Sequence, residues 1–218
     1  LILNKNKDFK NVKINKINVS SNSKRVLSLK SNNLQNIDNF LLDYFPKNEN
    51  KNIVLDKNDF KKNSLYPYSE IPDLFDPFDE NILNEINLLK NLLHYIFSNS
   101  LSVDRRNLFW FTSGLELYYL NKFIEEYHPD LLLIGKFSNL FFIKKHNLSK
   151  TKFTNQFRLG YNFVSARNLN QKLILPSNEL TRINYRLSSP AKSFYSLKTL
   201  NSYIGEKHFK ESILKIIN

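Results

Sequence analysis

The sequence has no cysteine, no methionine and only four glycines. Without cysteine, neither disulfide bonds nor thiolate metal sites can form, which fits a reducing compartment. A loop that cradles phosphate groups needs several closely spaced glycines, so a nucleotide-binding loop of that kind is excluded. Because the first residue is leucine, we expect the true start of the protein, and any signal peptide, to lie upstream of it.

The chain is strongly basic, with a formal net charge of +12 and an isoelectric point near 9.6. Such a charge ordinarily indicates nucleic acids or anionic membranes as partners. The lysines are spread along the chain without an arginine-rich stripe, and about one residue in seven is asparagine. Lysine, asparagine, isoleucine and phenylalanine all have codons made only of A and T. An AT-rich genome therefore explains the composition, and we predict no nucleic-acid partner.

The length and the 41% hydrophobic content favour a folded protein with one well-buried core. The longest apolar run, LLLIGKFSNLFFI at 131–143, is too short to cross a bilayer and contains Lys136. It predicts a buried helix or a helix–turn pair. We expect no membrane-spanning segment.

The first part of the chain alternates between apolar and polar residues, as half-buried strands do. FKNVKINKINV and KRVLSL carry this pattern within 1–32, which we interpret as the end of a preceding β domain. Apolar residues at helical spacing then predict a helix over 34–45, and NIVLDK at 52–57 predicts a short buried strand.

A long irregular segment is predicted from residue 56 to residue 80, because three prolines interrupt it. The segment holds a weak acidic cluster of Asp73, Asp76, Asp79 and Glu80. Clustered carboxylates can bind a cation, but a solvated loop that ends at a helix N-terminus is the simpler interpretation.

Residues from 81 onward predict helices. NILNEINLLKNLLHYIF at 81–97 places its apolar residues on one stripe, and SGLELYYLNKFIEEY at 113–127 is a second strong helix that Pro129 terminates. KTLNSYIG and EKHFKESILKII predict a helical pair with Gly205 as the C-cap between them. The predicted fold class is therefore α+β, with a small mixed sheet at the N-terminal side followed by a mostly helical lobe.

The stretch from Lys90 to Gly114 reads KNLLHYIFSNSLSVDRRNLFWFTSG. It resembles, without a gap, the active-site region of aminopeptidase N-like zinc peptidases, approximately HExxHxWFGNxVT…WLNEG. In that family two His residues four apart on one helical face bind zinc, and the Glu beside the first is the general base. Ser113 lies 23 positions after Lys90, where the family has its third ligand, a Glu. The positions that match in register are His94, Phe97, Asn99, Trp110 and Gly114.

Weaker similarity to the Bacteroidetes-type branch of this family extends from near residue 33 to the C-terminus. NIVLDK resembles the strand before the substrate-binding motif, and YLNKFIEEYHPD resembles the segment after the third ligand. LTRINYRLSSPAKSFYSLKTLNSYIGEKHF resembles the stretch that carries the catalytic Tyr. The resemblance implies a thermolysin-like peptidase domain over 33–218, without the helical C-terminal region of the family.

The same resemblance implies that the catalytic residues have been replaced. Lys90 stands in place of the first zinc ligand, Asn91 in place of the general-base Glu, and Ser113 in place of the third ligand. Pro190 stands where the family has the Tyr that stabilises the oxyanion, with Lys192 on the family's Lys. The one retained His cannot hold zinc alone. We therefore expect that the ancestral zinc is lost and that the chain has no other cofactor.

The resemblance also indicates which residues would line a substrate cleft. The family's Gly-x-Met-Glu motif, which binds the free amine of the substrate, would lie just before Tyr66. Lys90, His94 and Ser113 would line the floor of the cleft. Glu116 could pair with Lys90 and so replace metal coordination by an ion pair. The candidate cleft residues are Tyr66, Glu116 and Lys192.

The remaining histidines offer no replacement metal site in the sequence. His128 is interpreted as a surface cap, His146 follows two lysines, and His208 lies on the outer part of a polar helix. The function that we expect is that of a catalytically degenerate aminopeptidase-like domain with a structural or a peptide- or protein-binding role. The alternatives are a zinc aminopeptidase with a variant metal site and a decaying gene product. The compartment stays open between the bacterial cytoplasm and the periplasm, as does the oligomeric state.

Overall fold

A computed structural model of the chain describes residues 10–14, 17–21, 29–46, 51–70, 77–101, 104, 106–145 and 147–217. The chain divides into two compact units. The first unit comprises residues 1–71 and 79–91, and the second comprises 72–78 and 92–218. The described residues have an α+β fold with the strands at the N-terminal side, as predicted.

Three strands form the sheet of the first unit: β1 (Lys10–Ile14), β2 (Ile17–Ser21) and β3 (Lys51–Leu55). β2 lies in the middle, antiparallel to β1 and parallel to β3, so the sheet is mixed. The alternation in β2 buries Ile17 and Val19 against the core and leaves Asn18 exposed, where its amide donates to the Asn52 side chain at 2.9 Å.

The sheet crosses the boundary that we placed after residue 32, because β3 pairs with β2. The descent of 1–32 from a preceding β domain stays a prediction. KRVLSL lies outside the described residues except for its last residue, Leu29.

Helix α1 (Ser31–Tyr44) confirms the helix predicted over 34–45. It buries Ile37, Phe40 and Leu41 completely. The segment from residue 56 to residue 80 is less irregular than predicted, because α2 (Lys57–Asn63) lies within it, followed by a short 3-10 helix at Tyr68–Glu70. The Asp56 carboxylate accepts a hydrogen bond from the Asn58 amide at 3.0 Å, which caps α2. The prolines that suggested an irregular segment all follow this helix.

Helix α3 (Glu80–Ser100) confirms the long helix predicted from residue 81. Its apolar stripe is fully buried at Ile86, Leu89, Leu93 and Phe97. Within the acidic cluster, Asp79 accepts a hydrogen bond from the Asn81 amide at 2.8 Å and so caps the helix, as the simpler interpretation expected. Asp73 and Asp76 lie outside the described residues.

The second unit is mostly helical. Its helices are α4 (Phe109–Tyr127), α5 (Phe141–Lys144), α6 (Gln156–Ala166), α7 (Ser189–Ile204) and α8 (Glu206–Ile217). A π-helical turn at Asn184–Ser188 leads directly into α7. Gly205 separates α7 from α8 with a φ of 86°, which confirms it as the predicted C-cap, since glycine adopts this conformation without strain.

The apolar run at 131–143 forms the helix–turn pair that was one of the two predicted alternatives, and not a single buried helix. It forms a 3-10 helix at Gly135–Asn139 and the short helix α5. Phe141 and Phe142 are 69% and 82% exposed. The run turns sharply at Gly135, whose φ of 46° brings the Lys136 amide to the Pro77 carbonyl at 2.7 Å. A chain that turns this often cannot place all its apolar residues on one buried face.

No helix among the described residues is long and apolar enough to cross a bilayer.

Helices α4 and α7 pack more extensively on each other than any other pair of described elements. Their close approach depends on Gly114, where a Cβ atom would lie 2.6 Å from the Cβ of Ser193 and 3.2 Å from a methyl group of Leu197. Real Cβ atoms do not come this close to their neighbours, so the missing side chain allows α7 to contact the backbone of α4.

We predict that Gly114→Ala destabilises the protein by about 1–3 kcal/mol through overpacking, although alanine favours helices more than glycine does. Thermal unfolding followed by circular dichroism measures the effect. Gly114→Ala/Ser193→Gly is the matched double variant, since it transfers the space to the facing helix. Equal unfolding temperatures for the parent and Gly114→Ala would show that the contact is not tight.

Candidate functional site

The residues that align with the zinc-peptidase motif lie on helices α3 and α4. Lys90 and Asn91 belong to the first unit, whereas His94 and Ser113 belong to the second. Each of these side chains forms a hydrogen bond within its own unit.

Lys90 interacts with the end of helix α2. Its ammonium group donates a hydrogen bond to the carbonyl of Asn63, the last residue of that helix, at 2.6 Å. The final carbonyls of a helix have no partner within the helix, and a cation near them is favourable. The residue that stands at the first zinc-ligand position therefore caps a helix of its own unit.

Asn91 is buried and hydrogen-bonded through its amide nitrogen. It donates to the Asn87 carbonyl at 2.8 Å and to the Phe60 carbonyl at 3.3 Å. A neutral amide has no basic atom that could accept a proton from water. The residue at the general-base position therefore joins α3 to α2 and has no group for base catalysis.

Ser113 is buried and also turned toward its own backbone. Its hydroxyl donates to the Phe109 carbonyl at 2.7 Å, one turn earlier in α4. Serine in a helix interior often forms this bond, which keeps the side chain close to the helix axis. The residue at the third-ligand position thus satisfies its hydrogen-bonding group locally.

His94, on the C-terminal part of α3, forms a side-chain contact with Glu116 of α4 within the second unit. The Nδ1–H of His94 donates to the Glu116 carboxylate at 2.7 Å. Glu116 is buried, whereas the His94 side chain is 36% exposed. Because a carboxylate accepts only, it fixes the proton on Nδ1, which leaves Nε2 of a neutral ring as an acceptor.

Glu116 lies three residues after Ser113, on the same face of α4. A carboxylate is therefore present on this face, but one helical turn beyond the position where the peptidase family has its third ligand. Its carboxylate contacts His94 in the structure. The pairing of Glu116 with Lys90 stays a prediction.

Tyr185 lies in the π-helical turn, where it contacts Phe109 of α4 and feels the charge of Glu116. Its ring stacks on Phe109 with the centroids 4.4 Å apart and the planes 10° apart. Burial raises the pKa of Tyr185, and the negative charge of Glu116 raises it further, while Arg186 acts in the opposite direction. The hydroxyl therefore stays protonated at neutral pH and can donate a hydrogen bond.

The two candidate residues of α7 do not supply the hydroxyl of the family's catalytic Tyr. Pro190 is buried in the first turn of α7 and has no hydroxyl. Lys192 is half-buried, with its ammonium group 3.4 Å from the Gln171 carbonyl and 6.0 Å from the Tyr161 ring centroid. Both residues lie in the second unit.

Tyr66, the remaining cleft candidate, is half-buried in the first unit. The residues just before it are held by α3, since the Leu65 amide donates to the Asn87 side chain at 2.9 Å. The assignment of Tyr66 to a substrate cleft stays a prediction.

These donors do not fit a zinc site. Three of the aligned positions hold an ammonium group, a neutral amide and a hydroxyl that bonds to the backbone. Of the aligned residues, only His94 offers a normal zinc donor. Among the described residues, no group of three or more His, Asp and Glu side chains is close enough to hold a metal ion.

A pocket of about 210 Å³ lies at the C-terminal end of α4. His128 confirms its interpretation as a cap, since its amide donates to the Ile124 carbonyl at 2.9 Å, and its side chain also lines this pocket. His208 is exposed on α8 as predicted, and His146 lies outside the described residues. The lining residues are Ile124, Glu125, His128, Pro129, Leu131, Lys152 and Thr154.

Comparison of the chain with known proteins found no matching family model, no matching curated protein and no matching solved structure.

The sequence did not indicate Tyr185 or Phe109 as site residues. Tyr185 lies five residues before Pro190, the position that the motif assigned to a tyrosine. A search for a tyrosine near that position would have found it, whereas the stacking on Phe109 depends on the tertiary structure. The pairing of Glu116 with His94 is likewise a tertiary contact.

We predict that His94 and Glu116 are energetically coupled by about 1–3 kcal/mol, because a buried carboxylate loses a hydrogen bond when either residue is replaced. Urea unfolding of His94→Ala, Glu116→Ala and the double variant measures this coupling. The exposed ion pair of Lys122 with Glu206 is the matched control, with an expected coupling below about 1 kcal/mol. Additive effects at His94 and Glu116 would contradict the pairing.

The raised pKa of Tyr185 predicts a loss of stability at high pH. The unfolded state releases the tyrosine proton first, near the usual pKa of 10.0, so the free energy of unfolding falls as the pH rises above this value. Tyrosinate absorbance during alkaline titration, compared between the parent and Tyr185→Phe, isolates this group. Glu116→Gln should lower the pKa of Tyr185 and leave that of Tyr195 unchanged, since the causes that raise the Tyr195 pKa are burial and Glu125. An unchanged Tyr185 titration in Glu116→Gln would contradict this assignment.

Proposed function

We propose that the chain is a non-catalytic, aminopeptidase-like domain with a thermolysin-like fold that binds peptide or protein segments. The observation that carries this proposal is the use of the replaced residues by the fold itself. Lys90, Asn91 and Ser113 each donate a hydrogen bond to a backbone carbonyl. Side chains that stabilise helices in this way are not held ready for a metal or a substrate.

The groups of the site favour binding over hydrolysis. Peptide hydrolysis of the family's kind needs a polarising metal, a general base and a donor to the oxyanion. Asn91 offers no base, and the residues at the ligand positions do not fit zinc. What remains is a protonated Tyr185 hydroxyl, the half-exposed His94 ring and the Phe109–Tyr185 stack. These groups can form hydrogen bonds with peptide backbone and contact apolar side chains.

A variant metallopeptidase is the second candidate, and the His94–Glu116 pair favours it. A carboxylate that accepts the Nδ1 proton orients the other ring nitrogen, as it does in many metal-binding histidines. This candidate requires further ligands for the metal beyond His94.

We expect apolar tri- to pentapeptides to change the emission of Trp110, the only tryptophan of the chain, which is adjacent to Phe109. Tyr185→Ala should weaken this binding, because it removes the hydroxyl and the aromatic stack. Tyr203→Ala is the matched control, since Tyr203 is 89% exposed near the end of α7. The proposal fails if neither Trp110 emission nor titration calorimetry detects any peptide.

Metal analysis and hydrolysis of aminoacyl-nitroanilides separate the two candidates in the same preparation. Stoichiometric zinc together with turnover would establish the variant peptidase. Metal-free protein without turnover is the result that the non-catalytic proposal expects.

A further inference from the structure

The acidic residues of the chain are distributed unevenly. None of the 20 aspartates and glutamates lies between residues 131 and 178, whereas eight lysines and arginines do. Throughout these 48 residues no acidic side chain adjacent in sequence offsets the positive charge. An AT-rich genome explains abundant lysine, but it does not explain why carboxylates are missing from one continuous segment.

The same segment exposes large apolar side chains. Phe141 and Phe142 are 69% and 82% exposed, and Leu140 and Phe137 are 50% and 40% exposed. Phe137 lies in the 3-10 helix at Gly135–Asn139, Leu140 follows it as the C-cap, and Phe141 and Phe142 begin α5. The two short helices contact each other in the second unit. Grouped exposure of this kind on a folded surface indicates a binding surface, whereas single exposed apolar residues do not.

Cationic groups lie directly beside these rings. Lys144 and Lys145 follow Phe142 after one residue, and the Lys145 ammonium group is 5.1 Å from the Phe141 ring centroid. Both lysines are exposed. We call the surface formed by Phe137, Leu140, Phe141, Phe142, Lys144 and Lys145 the apolar–basic patch.

We propose that the apolar–basic patch binds the surface of an anionic lipid bilayer. Phenylalanine and leucine side chains enter the boundary between headgroups and acyl chains, while adjacent lysines contact the anionic headgroups. This mode of binding needs no membrane-spanning helix. The proposal does not depend on peptide binding at the His94 site.

Charge and chemistry favour a bilayer over the other occupants. A second copy of the chain would bring one basic patch against another, at a net charge of +12 for each chain. A single-stranded nucleic acid would stack on the phenylalanines, but the aliphatic Leu140 has no face for stacking. A hydrocarbon boundary lined by anions accommodates all six residues.

Co-sedimentation of the full chain with lipid vesicles tests the proposal. We expect binding to vesicles of phosphatidylcholine mixed with phosphatidylglycerol, at least about tenfold weaker binding to pure phosphatidylcholine, and weakening by salt. Lys144→Ala/Lys145→Ala should lower partitioning about thirtyfold, because each lysine near an anionic surface contributes about fivefold. Phe141→Ala/Phe142→Ala should lower it at least about tenfold without affecting the fold, since both rings are exposed.

Matched controls separate the patch from the overall charge. Lys207→Ala/Lys215→Ala removes two exposed charges from α8, and Tyr203→Ala removes an exposed ring from α7. Neither should change partitioning more than about twofold if the patch carries the binding. The proposal is overturned if anionic vesicles do not sediment the chain or if the controls lose as much binding as the patch variants. It is also overturned if the patch variants lose binding to a single-stranded RNA oligonucleotide while vesicle binding is unchanged.

Discussion

The second unit depends on the burial of one carboxylate, that of Glu116. Burying an ionised carboxylate costs several kcal/mol unless it is paired and hydrogen-bonded. His94 supplies the hydrogen bond from α3 and so fixes the position of α4 relative to the C-terminal part of that helix. The close contact of α4 with α7 at Gly114 and the stack of Phe109 on Tyr185 follow from the placement of α4. The side chains of the candidate site and the packing of α4 therefore both depend on the buried Glu116 carboxylate.

In the first unit, two residues that the sequence resemblance aligns with a catalytic motif form hydrogen bonds within the fold. Lys90 and Asn91 bind carbonyls at and near the C-terminal end of α2. A general-base Glu has no N–H group and could not donate the hydrogen bonds that Asn91 forms. Lys90 gives a donor to one of the last carbonyls of α2, which have no partner within that helix. Asn91 adds a donor to the Phe60 carbonyl, which also accepts from the Ser64 amide.

Several helices were predictable from the sequence, because their signals are local. The apolar spacing of α1 and α3 and the glycine between α7 and α8 identify elements without any knowledge of the fold. The N-cap at Asp56 is an equally local signal, but the three prolines later in the segment favoured the prediction of an irregular stretch. The His94–Glu116 pair and the Phe109–Tyr185 stack join residues that lie far apart in sequence, so no pattern of spacing indicates them. The exposure of Phe142 and the positive φ of Gly135 are likewise properties of the folded chain that no local pattern indicates.

The net charge of +12 has two separate sources: lysine is abundant along the whole chain, and acidic residues are absent from one segment. Mutational bias acts on every codon of a gene, so it accounts for lysine and asparagine throughout the chain. It does not concentrate all carboxylates outside residues 131–178, and it does not expose Phe141 and Phe142 beside Lys144 and Lys145. Exposed rings increase the risk of aggregation, and adjacent lysines in a segment without acidic residues repel each other. Such a surface is retained more readily when a partner covers the rings and neutralises the lysines. A bilayer surface does both, because it offers anionic headgroups above an apolar boundary.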